Sequence, residues 1–372
     1  MATWKSSWRY WLCGLLVAMV TWGTLVAPFL AKPAWAQSAS YVDMAGHLGE
    51  PEVNDLVARG ILDPSANPSF QPDSPFLRGG FLALLAKASG IVPAQPAKAT
   101  FSDLPLVAPD SAPIEGMLIA ALDPTRFLAG IAIPGDLQSP QLAPSSPLTV
   151  AQGLALIVRS KGWETGIDLP ITSPFNDVSP DYWAYREIVA AQAHGLFFQV
   201  SVYPDAPLAR WLGAVYLDRS LAQAAVKSIH VSLARYDCSL YMVEGAFIVQ
   251  TLPVLTGQTG METPTGNYSV LTKVPVTTMV GADYSVPNVR WCLFFIGRVY
   301  AIHGNYWKPD EYFGQDPSVN GSHGCVGLIQ PLEKDVGKAP PAGRDDAKIV
   351  YDWAEVGTPI TITDQLIRNH FQ

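Results

Sequence analysis

The spacing of apolar residues changes near Val226, and this change constrains the fold of the 372-residue chain more than any other feature. Before Val226, apolar residues recur three or four positions apart, as at Val53, Leu56 and Val57, which is typical of helices with one buried face. After it, apolar and polar residues alternate in short runs such as 229–233, which is typical of half-buried strands. A chain of this length also exceeds what one core usually organises. The sequence therefore predicts a multidomain protein, with an α-helical N-terminal domain and a mainly-β C-terminal domain.

The N-terminal segment 1–36 predicts export. Lys5 and Arg9 precede an apolar run over 11–30, and Ala34-Trp35-Ala36 provides a small-x-small cleavage site. We therefore expect a cleaved signal peptide and a cell-envelope location, either the periplasm or the cell wall. The apolar run also approaches the roughly 20 residues that span a bilayer, so an uncleaved anchor remains the alternative. After signal cleavage we expect no stable membrane span.

The charge distribution argues against a nucleic-acid partner. The net charge is −8, and the sequence has no run of lysines and arginines. Because phosphate binding needs clustered cations, we expect neither DNA nor RNA to bind.

An exported chain would retain three cysteines, and an odd number in an oxidising compartment needs an explanation. Cys238 and Cys292 occur in apolar, strand-like runs, where each is either a buried small hydrophobe or one half of a mutual disulfide. Cys325 occurs in a polar, glycine-rich loop instead. Its setting predicts a chemical role.

The helical region contains three copies of a unit that opens with an aromatic residue, any residue and an aspartate. These openings are Tyr41-Val42-Asp43, Phe101-Ser102-Asp103 and Phe175-Asn176-Asp177. The units resemble S-layer homology (SLH) repeats, with boundaries at 37–98, 99–164 and 170–225, the second being degenerate. The resemblance implies a compact helical domain that holds exported proteins on wall polymers. A purely structural helical spacer is the alternative, because a fold alone does not establish function.

The chemistry-bearing residues occur in two short segments, His303-Gly304 and Ser322-His323-Gly324-Cys325. A cysteine is nucleophilic only as the thiolate, so a nearby imidazole that accepts its proton would activate it. The backbone amides of Gly324 and Cys325 are candidates for stabilising an oxyanion. Two histidines and one cysteine lack the fourth ligand of a structural zinc site. We therefore predict no metal and no cofactor.

Residues from about 227 to 363 resemble the YkuD-like L,D-transpeptidase family. The motifs that carry the resemblance occur in order: Thr256-Gly257, Thr263-Pro264-Thr265-Gly266-Asn267-Tyr268, Ile302-His303-Gly304, Ser322-His323-Gly324-Cys325 and Gly357-Thr358-Pro359-Ile360. The resemblance implies a catalytic domain over 226–364, followed by a tail over 365–372.

The resemblance also implies a role for each site residue. Cys325 is then the nucleophile, His303 donates and accepts protons, and the Gly304 carbonyl orients the imidazole. His323 shapes the loop and the oxyanion pocket, and Ser322 forms hydrogen bonds within the loop. Tyr306 and Trp307 are expected to form a wall for the substrate.

Members of the family transfer an acyl group between peptidoglycan stem peptides and so form 3-3 cross-links. Stem peptides are the partner that the resemblance implies, with wall polymers as a second partner of the repeats. One departure concerns Gly327, because the family usually has arginine there; Arg290 or Arg298 is a candidate to replace it. An L,D-carboxypeptidase and a non-catalytic wall-binding protein remain alternatives.

Two features of the C-terminal region predict local structure. Gly297 and Arg298 separate two apolar runs and suit a two-residue hairpin turn. Asp345 or Asp346 suits the start of a helix, in which we expect Ile349 and Trp353 to face the core.

Overall fold

The structure, a computed structural model, describes residues 40–131, 140–235, 237–281, 284–338 and 342–367. The predicted signal peptide over 1–36 and the tail residues 368–372 therefore lie outside the described residues. Within the described ranges, no helix is long and apolar enough to cross a membrane.

The described part of the N-terminal region is helical, as its apolar spacing predicts. Its helices are α1 (Glu50–Ala58), α2 (Arg78–Ala88), α3 (Ser111–Ala120), α4 (Pro124–Phe127), α5 (Val150–Lys161), α6 (Tyr185–Ala193) and α7 (Arg210–Leu221). Thr149 and Gln152 form a capping box at the start of α5, which satisfies backbone donors that a helix leaves unpaired. Gly162 ends this helix in the left-handed conformation.

The same turn recurs three times in this region. In each case an aspartate carboxylate accepts hydrogen bonds from two successive backbone amides at distances of 2.7–3.0 Å. The pairs are Asp43 with Phe70 and Gln71, Asp103 with Leu142 and Ala143, and Asp177 with Val202 and Tyr203. The second residue of every pair has a positive φ of 52–56°. The aspartates that open the sequence units thus stabilise three equivalent, strained turns.

Three backbone hydrogen bonds close these turns into a ring. The Phe76 amide donates to the Leu208 carbonyl at 2.7 Å, and the Leu208 amide donates to the Leu148 carbonyl at 2.8 Å. The Leu148 amide completes the ring by donating to the Phe76 carbonyl at 2.9 Å. Each of these residues lies two positions before the first residue of a helix, α2, α5 or α7. The Phe76–Leu208 bond makes the first and third units neighbours.

The C-terminal region consists mainly of two β-sheets. Its strands are β1 (Lys227–Ala234), β2 (Asp237–Glu244), β3 (Phe247–Pro253), β4 (Gly266–Ser269), β5 (Thr272–Val280), β6 (Ser285–Ile296), β7 (Tyr300–Asn305), β8 (Val326–Ile329) and β9 (Pro359–Thr363). One sheet has the order β3-β2-β1-β9-β4, and the other has the order β5-β6-β7-β8. The short helix α8 (Pro317–Asn320) precedes β8, and α9 (Asp346–Trp353) precedes β9.

Apolar side chains from both sheets form one core. Val231 of the first sheet and Ile302 and Leu328 of the second are at most 1% exposed within it. Helix α9 adds Val350 to this core, and the Asp345 carboxylate caps the helix by accepting the Lys348 amide. The expectation for Ile349 was wrong: its side chain is 41% exposed, because the helix begins one residue after the cap and presents Val350 to the sheets.

The β2–β3 hairpin joins the sheets to the helical region. Its turn residue Gly245 has φ +62°, and an added Cβ would lie 2.0 Å from the Ser160 carbonyl oxygen. The Ala246 carbonyl accepts the Leu122 amide at 2.8 Å. Phe247 is 4% exposed within the core of the helical region. The two regions on either side of Val226 therefore have separate hydrophobic cores, but Phe247 of the sheet region belongs to the core of the helical region.

Candidate active site

His303 is held in one orientation by its own strand. It lies on β7, is 3% exposed, and its Nδ1 lies 2.8 Å from the Gly304 carbonyl oxygen. Because a carbonyl only accepts hydrogen bonds, Nδ1 is the protonated nitrogen. This leaves Nε2 with a lone pair that can accept a proton.

Strand pairing places Cys325 on the same face of the sheet as His303. Strands β7 and β8 are parallel, with Ile302 opposite Val326 and His303 opposite Gly327. Cys325 lies two residues before Gly327, and side chains two positions apart along a strand point to the same face. The Cys325 Sγ also lies 3.8 Å from the Val299 carbonyl oxygen. The strand register thus puts Cys325 and His303 on one face of the β7–β8 pair.

Both members of the pair are uncharged near neutral pH. Burial lowers the pKa of His303 to about 4, although the bond to Gly304 opposes this shift. Burial raises the pKa of the Cys325 thiol, and a hydrogen bond with the Ala301 backbone opposes that shift. A neutral imidazole and a neutral thiol on one face of the sheet are suited to general-base catalysis, in which the thiol loses its proton as it attacks.

The loop before Cys325 is shaped by Ser322. The Ser322 hydroxyl donates to the Cys325 carbonyl at 2.6 Å and accepts the Gly324 amide at 3.0 Å. Gly324 has φ +106°, and an added Cβ would lie 2.5 Å from Tyr300 Cε1, so this position needs glycine. In this conformation the Gly324 amide, one of the two predicted oxyanion donors, already donates its hydrogen bond to the Ser322 hydroxyl.

Aromatic side chains lie next to both histidines of the site. The Trp307 ring is near-parallel to the His303 ring, with centroids 5.9 Å apart, and the Tyr306 ring meets Trp307 edge-on. His323 is exposed, and its ring lies 5.0 Å from the Tyr284 ring. His323 is therefore placed at the rim of the site, whereas His303 is buried within it.

Gly327 is tightly packed. An added Cβ would lie 3.1 Å from Asn305 Nδ2 and 3.3 Å from Leu255 Cβ. Of the two candidate replacement arginines, Arg290 has its guanidinium 3.6 Å from the Glu333 carboxylate, and Arg298 is exposed in the β6–β7 turn. The buried side chain of Asn305 thus occupies the space beside Gly327.

The three cysteines of the described residues are free thiols. Cys238 and Cys292 are buried, which supports the reading of each as a small hydrophobe. Burial raises the pKa of Cys292 to about 12, so its thiol stays protonated. Strand β7 lies between β6, which carries Cys292, and β8, which follows Cys325.

Two residues that support the site were not predicted. Tyr300 contacts the Gly324 backbone, and the Thr256 carbonyl accepts the Ser322 amide at 2.7 Å. Thr256 belongs to a motif of the family resemblance, which could have indicated its position. Tyr300 is one aromatic residue in an ordinary strand pattern, so the sequence offers no signal for its contact.

A two-sheet domain with a cysteine and a carbonyl-oriented histidine on one face of a sheet agrees with the resemblance seen in the sequence. Residues 227–362 match the YkuD family model, described as an L,D-transpeptidase catalytic domain. The C-terminal region therefore contains a YkuD domain, and the expected mainly-β catalytic fold is confirmed for these residues. No curated protein matches the chain.

Two solved L,D-transpeptidase structures match part of the chain. A structure from Mycobacterium tuberculosis is 20% identical, with a TM-score of 0.30, and the match covers 37% of this chain and 57% of the other. A C442S mutant from Enterococcus faecium is 21% identical, with a TM-score of 0.30 and coverage of 39% and 52%. The chain thus spans little more than half the length of these two proteins.

Proposed function

We propose that this protein is an exported, cysteine-dependent L,D-transpeptidase that forms 3-3 cross-links in peptidoglycan. The observation that carries the proposal is the bond between His303 Nδ1 and the Gly304 carbonyl, on the sheet face that also bears Cys325. This bond leaves Nε2 free to act as the base, and the YkuD match over 227–362 supplies the reaction class.

In the first half of the proposed reaction, His303 Nε2 takes the thiol proton as Cys325 Sγ attacks the carbonyl carbon before the terminal D-alanine of a donor stem. The resulting oxyanion is stabilised by backbone amides, for which the Cys325 amide is the candidate. When the C–N bond breaks, the imidazolium returns the proton to the leaving D-alanine amine. The products are a thioester on Cys325 and free D-alanine.

In the second half, an amine of an acceptor stem attacks the thioester, and His303 removes its proton. The new amide bond replaces the C–S bond, and the proton returns to the Cys325 thiolate. If water attacks instead, the same intermediate gives an L,D-carboxypeptidase. The acceptor that reaches the thioester therefore distinguishes the two activities.

Intact-mass spectrometry of the full chain with a tetrapeptide donor tests the proposal. We expect a mass increase on Cys325 that disappears when an acceptor stem is added, with formation of a cross-linked peptide. Loss of the adduct as a free tripeptide despite acceptor would favour the carboxypeptidase. No adduct would leave a non-catalytic wall-binding protein as the better assignment.

We also propose that the helical region is an SLH-like domain that holds the enzyme on wall polymers. The three aspartate-stabilised turns and their ring of hydrogen bonds support this assignment, because they give the three sequence units one geometry. The full-length Cys325→Ala chain should sediment with isolated sacculi. Sacculi stripped of their non-peptidoglycan polymers should bind much less; equal binding to both would contradict polymer recognition.

A further inference from the structure

The Gly304 carbonyl decides which nitrogen of His303 carries the proton, so whatever holds Gly304 in place also controls the proposed base. Gly304 lies on β7, and its neighbour across the parallel pair is Leu328 of β8. Successive residues of a strand point to opposite faces, so Gly304 faces away from the side that bears His303 and Cys325.

On that opposite face, Gln330 packs directly against Gly304. A Cβ added to Gly304 would lie 2.2 Å from Gln330 Oε1 and 2.9 Å from Gln330 Cβ and Cδ. No side chain larger than hydrogen therefore fits at position 304. Gln330 follows the last residue of β8 and is 7% exposed.

The Gln330 amide is itself fixed at both ends by the backbone of β6. Its Oε1 accepts the Arg290 amide at 3.1 Å, and its Nε2 donates to the Asn288 carbonyl at 3.3 Å. Here β6 departs from regular geometry, since Asn288 and Trp291 have φ values of +58° and +59°. Gln330 thus connects the end of β8, across Gly304 of β7, to a part of β6 that precedes Leu293, where the pairing of β6 with β7 begins.

We propose that Gln330 is a positioning residue for the transpeptidase reaction, which acts on His303 through the Gly304 backbone. By filling the space over Gly304 and anchoring to β6, its amide fixes the direction of the Gly304 carbonyl. That carbonyl then holds the proton on Nδ1 and keeps Nε2 available for the thiol. The inference rests on the proposed function for its kinetic consequence, but not for its effect on the imidazole.

The test is Gln330→Met, which keeps the length of the side chain and removes both hydrogen bonds. Its matched control is Gln250→Met, on strand β3 of the other sheet. With a stem-peptide donor, Gln330→Met should lower kcat about tenfold or more and change KM less than about twofold, because a small misplacement of a catalytic group costs rate rather than binding. Gln330→Glu, which retains an acceptor for the Arg290 amide, should recover part of the rate.

The tautomer of His303 is measured directly by ¹⁵N NMR of histidine-labelled protein. The His303 signals are assigned by their loss in His303→Asn. We expect the Nδ1–H tautomer in the wild type and in Gln250→Met, and a mixture with Nε2–H in Gln330→Met. An unchanged tautomer together with an unchanged kcat would overturn the inference. So would a lower kcat with an unchanged tautomer, because Gln330 would then affect the rate by a route other than the His303 imidazole.

The two proposals fail in different ways. If the wild type forms no adduct with donor but Gln330→Met still shifts the tautomer, the proposed function fails and the positioning role stands. If Gln330→Met does not fold, the NMR measurement on Gln330→Glu decides, because glutamate keeps the acceptor for the Arg290 amide but loses the donor to the Asn288 carbonyl. An Nδ1–H tautomer population as large as in the wild type would then contradict the role.

Discussion

The rings of Phe127 and Phe247 meet edge-on with centroids 5.5 Å apart, although one residue belongs to α4 and the other to β3 of the sheet domain. Phe127 is 2% and Phe247 is 4% exposed. The catalytic region therefore contributes a side chain to the core of the helical region.

Phe247→Ala should lower the free energy of unfolding by about 3–5 kcal/mol, because it leaves a cavity where a buried aromatic ring was packed. The free energy of unfolding, measured by denaturant titration, checks this value. Val249→Ala on the same strand is the control, since Val249 is 50% exposed and should cost much less. If the two variants lost equal free energy of unfolding, the Phe127–Phe247 contact would not be what joins the two regions.

The two histidines of the site should differ in their effect on acylation. His303→Ala should lower the acylation rate constant about 10²- to 10⁴-fold, the range expected for loss of a general base. His323→Ala should have a smaller effect, because His323 is exposed and contacts Tyr284 rather than the sheet interior. Stopped-flow acylation with both variants, and Cys325→Ala as the inactive reference, measures the difference. A larger loss for His323→Ala would reassign the base.

Acylation should persist to acidic pH. Burial lowers the pKa of His303 to about 4, so the imidazole remains unprotonated and able to accept a proton well below the ordinary pKa of a histidine. The acylation rate constant, measured from pH 3.5 to 8, should show its acidic limb near pH 4. A limb near pH 6.5 would mean that the imidazole is more hydrated in the reacting enzyme.

An Asp55–Asp218 contact between α1 and α7 should make stability fall as pH rises. Burial and the hydrogen bond with Asp55 raise the pKa of Asp218 to about 7, whereas the unfolded chain releases this proton near pH 3.8. The protonated Asp218 carboxyl therefore contributes its full stabilisation of the folded state below about pH 3.8, and this contribution is lost as pH rises through about 7. Asp218→Asn should flatten this dependence and unfold at a higher temperature than the wild type at pH 8. The exposed substitution Asp168→Asn should follow the wild-type curve; if Asp218→Asn does so too, no proton is shared.

Placing arginine, the residue usual in the family, at position 327 should not raise kcat. Its Cβ would press against Asn305 and Leu255, and overpacking of this kind costs about 1–3 kcal/mol. Gly327→Arg should lower the melting temperature without raising kcat. Gly80→Ala is the control, because nothing lies within 4 Å of its added Cβ. A more active Gly327→Arg would show that the site lacks a cation.

The sequence predicted the features that depend on short stretches of chain. His303 and the Ser322–Cys325 loop occur in compact motifs, and alternation alone indicated the strands that carry them. Gln330 and Phe247 were not predicted, because each acts across elements far apart in sequence and neither interrupts the local pattern. Ile349 was misplaced for a related reason: helical spacing gives the period of a buried face, but its phase depends on where the cap begins the helix.

The ring formed by the Phe76, Leu148 and Leu208 backbones has a consequence for how such a chain can evolve. An open array of repeats gains or loses a unit at either end and keeps its remaining interfaces. A closed ring has no end, since every unit uses both of its sides. Duplicating or deleting one unit would break a closing hydrogen bond and expose the interior, so the number of units is fixed while their sequences remain free to diverge. The second unit agrees with this constraint, because its turn at Asp103 has the same pair of hydrogen bonds and the same positive φ as the turns at Asp43 and Asp177.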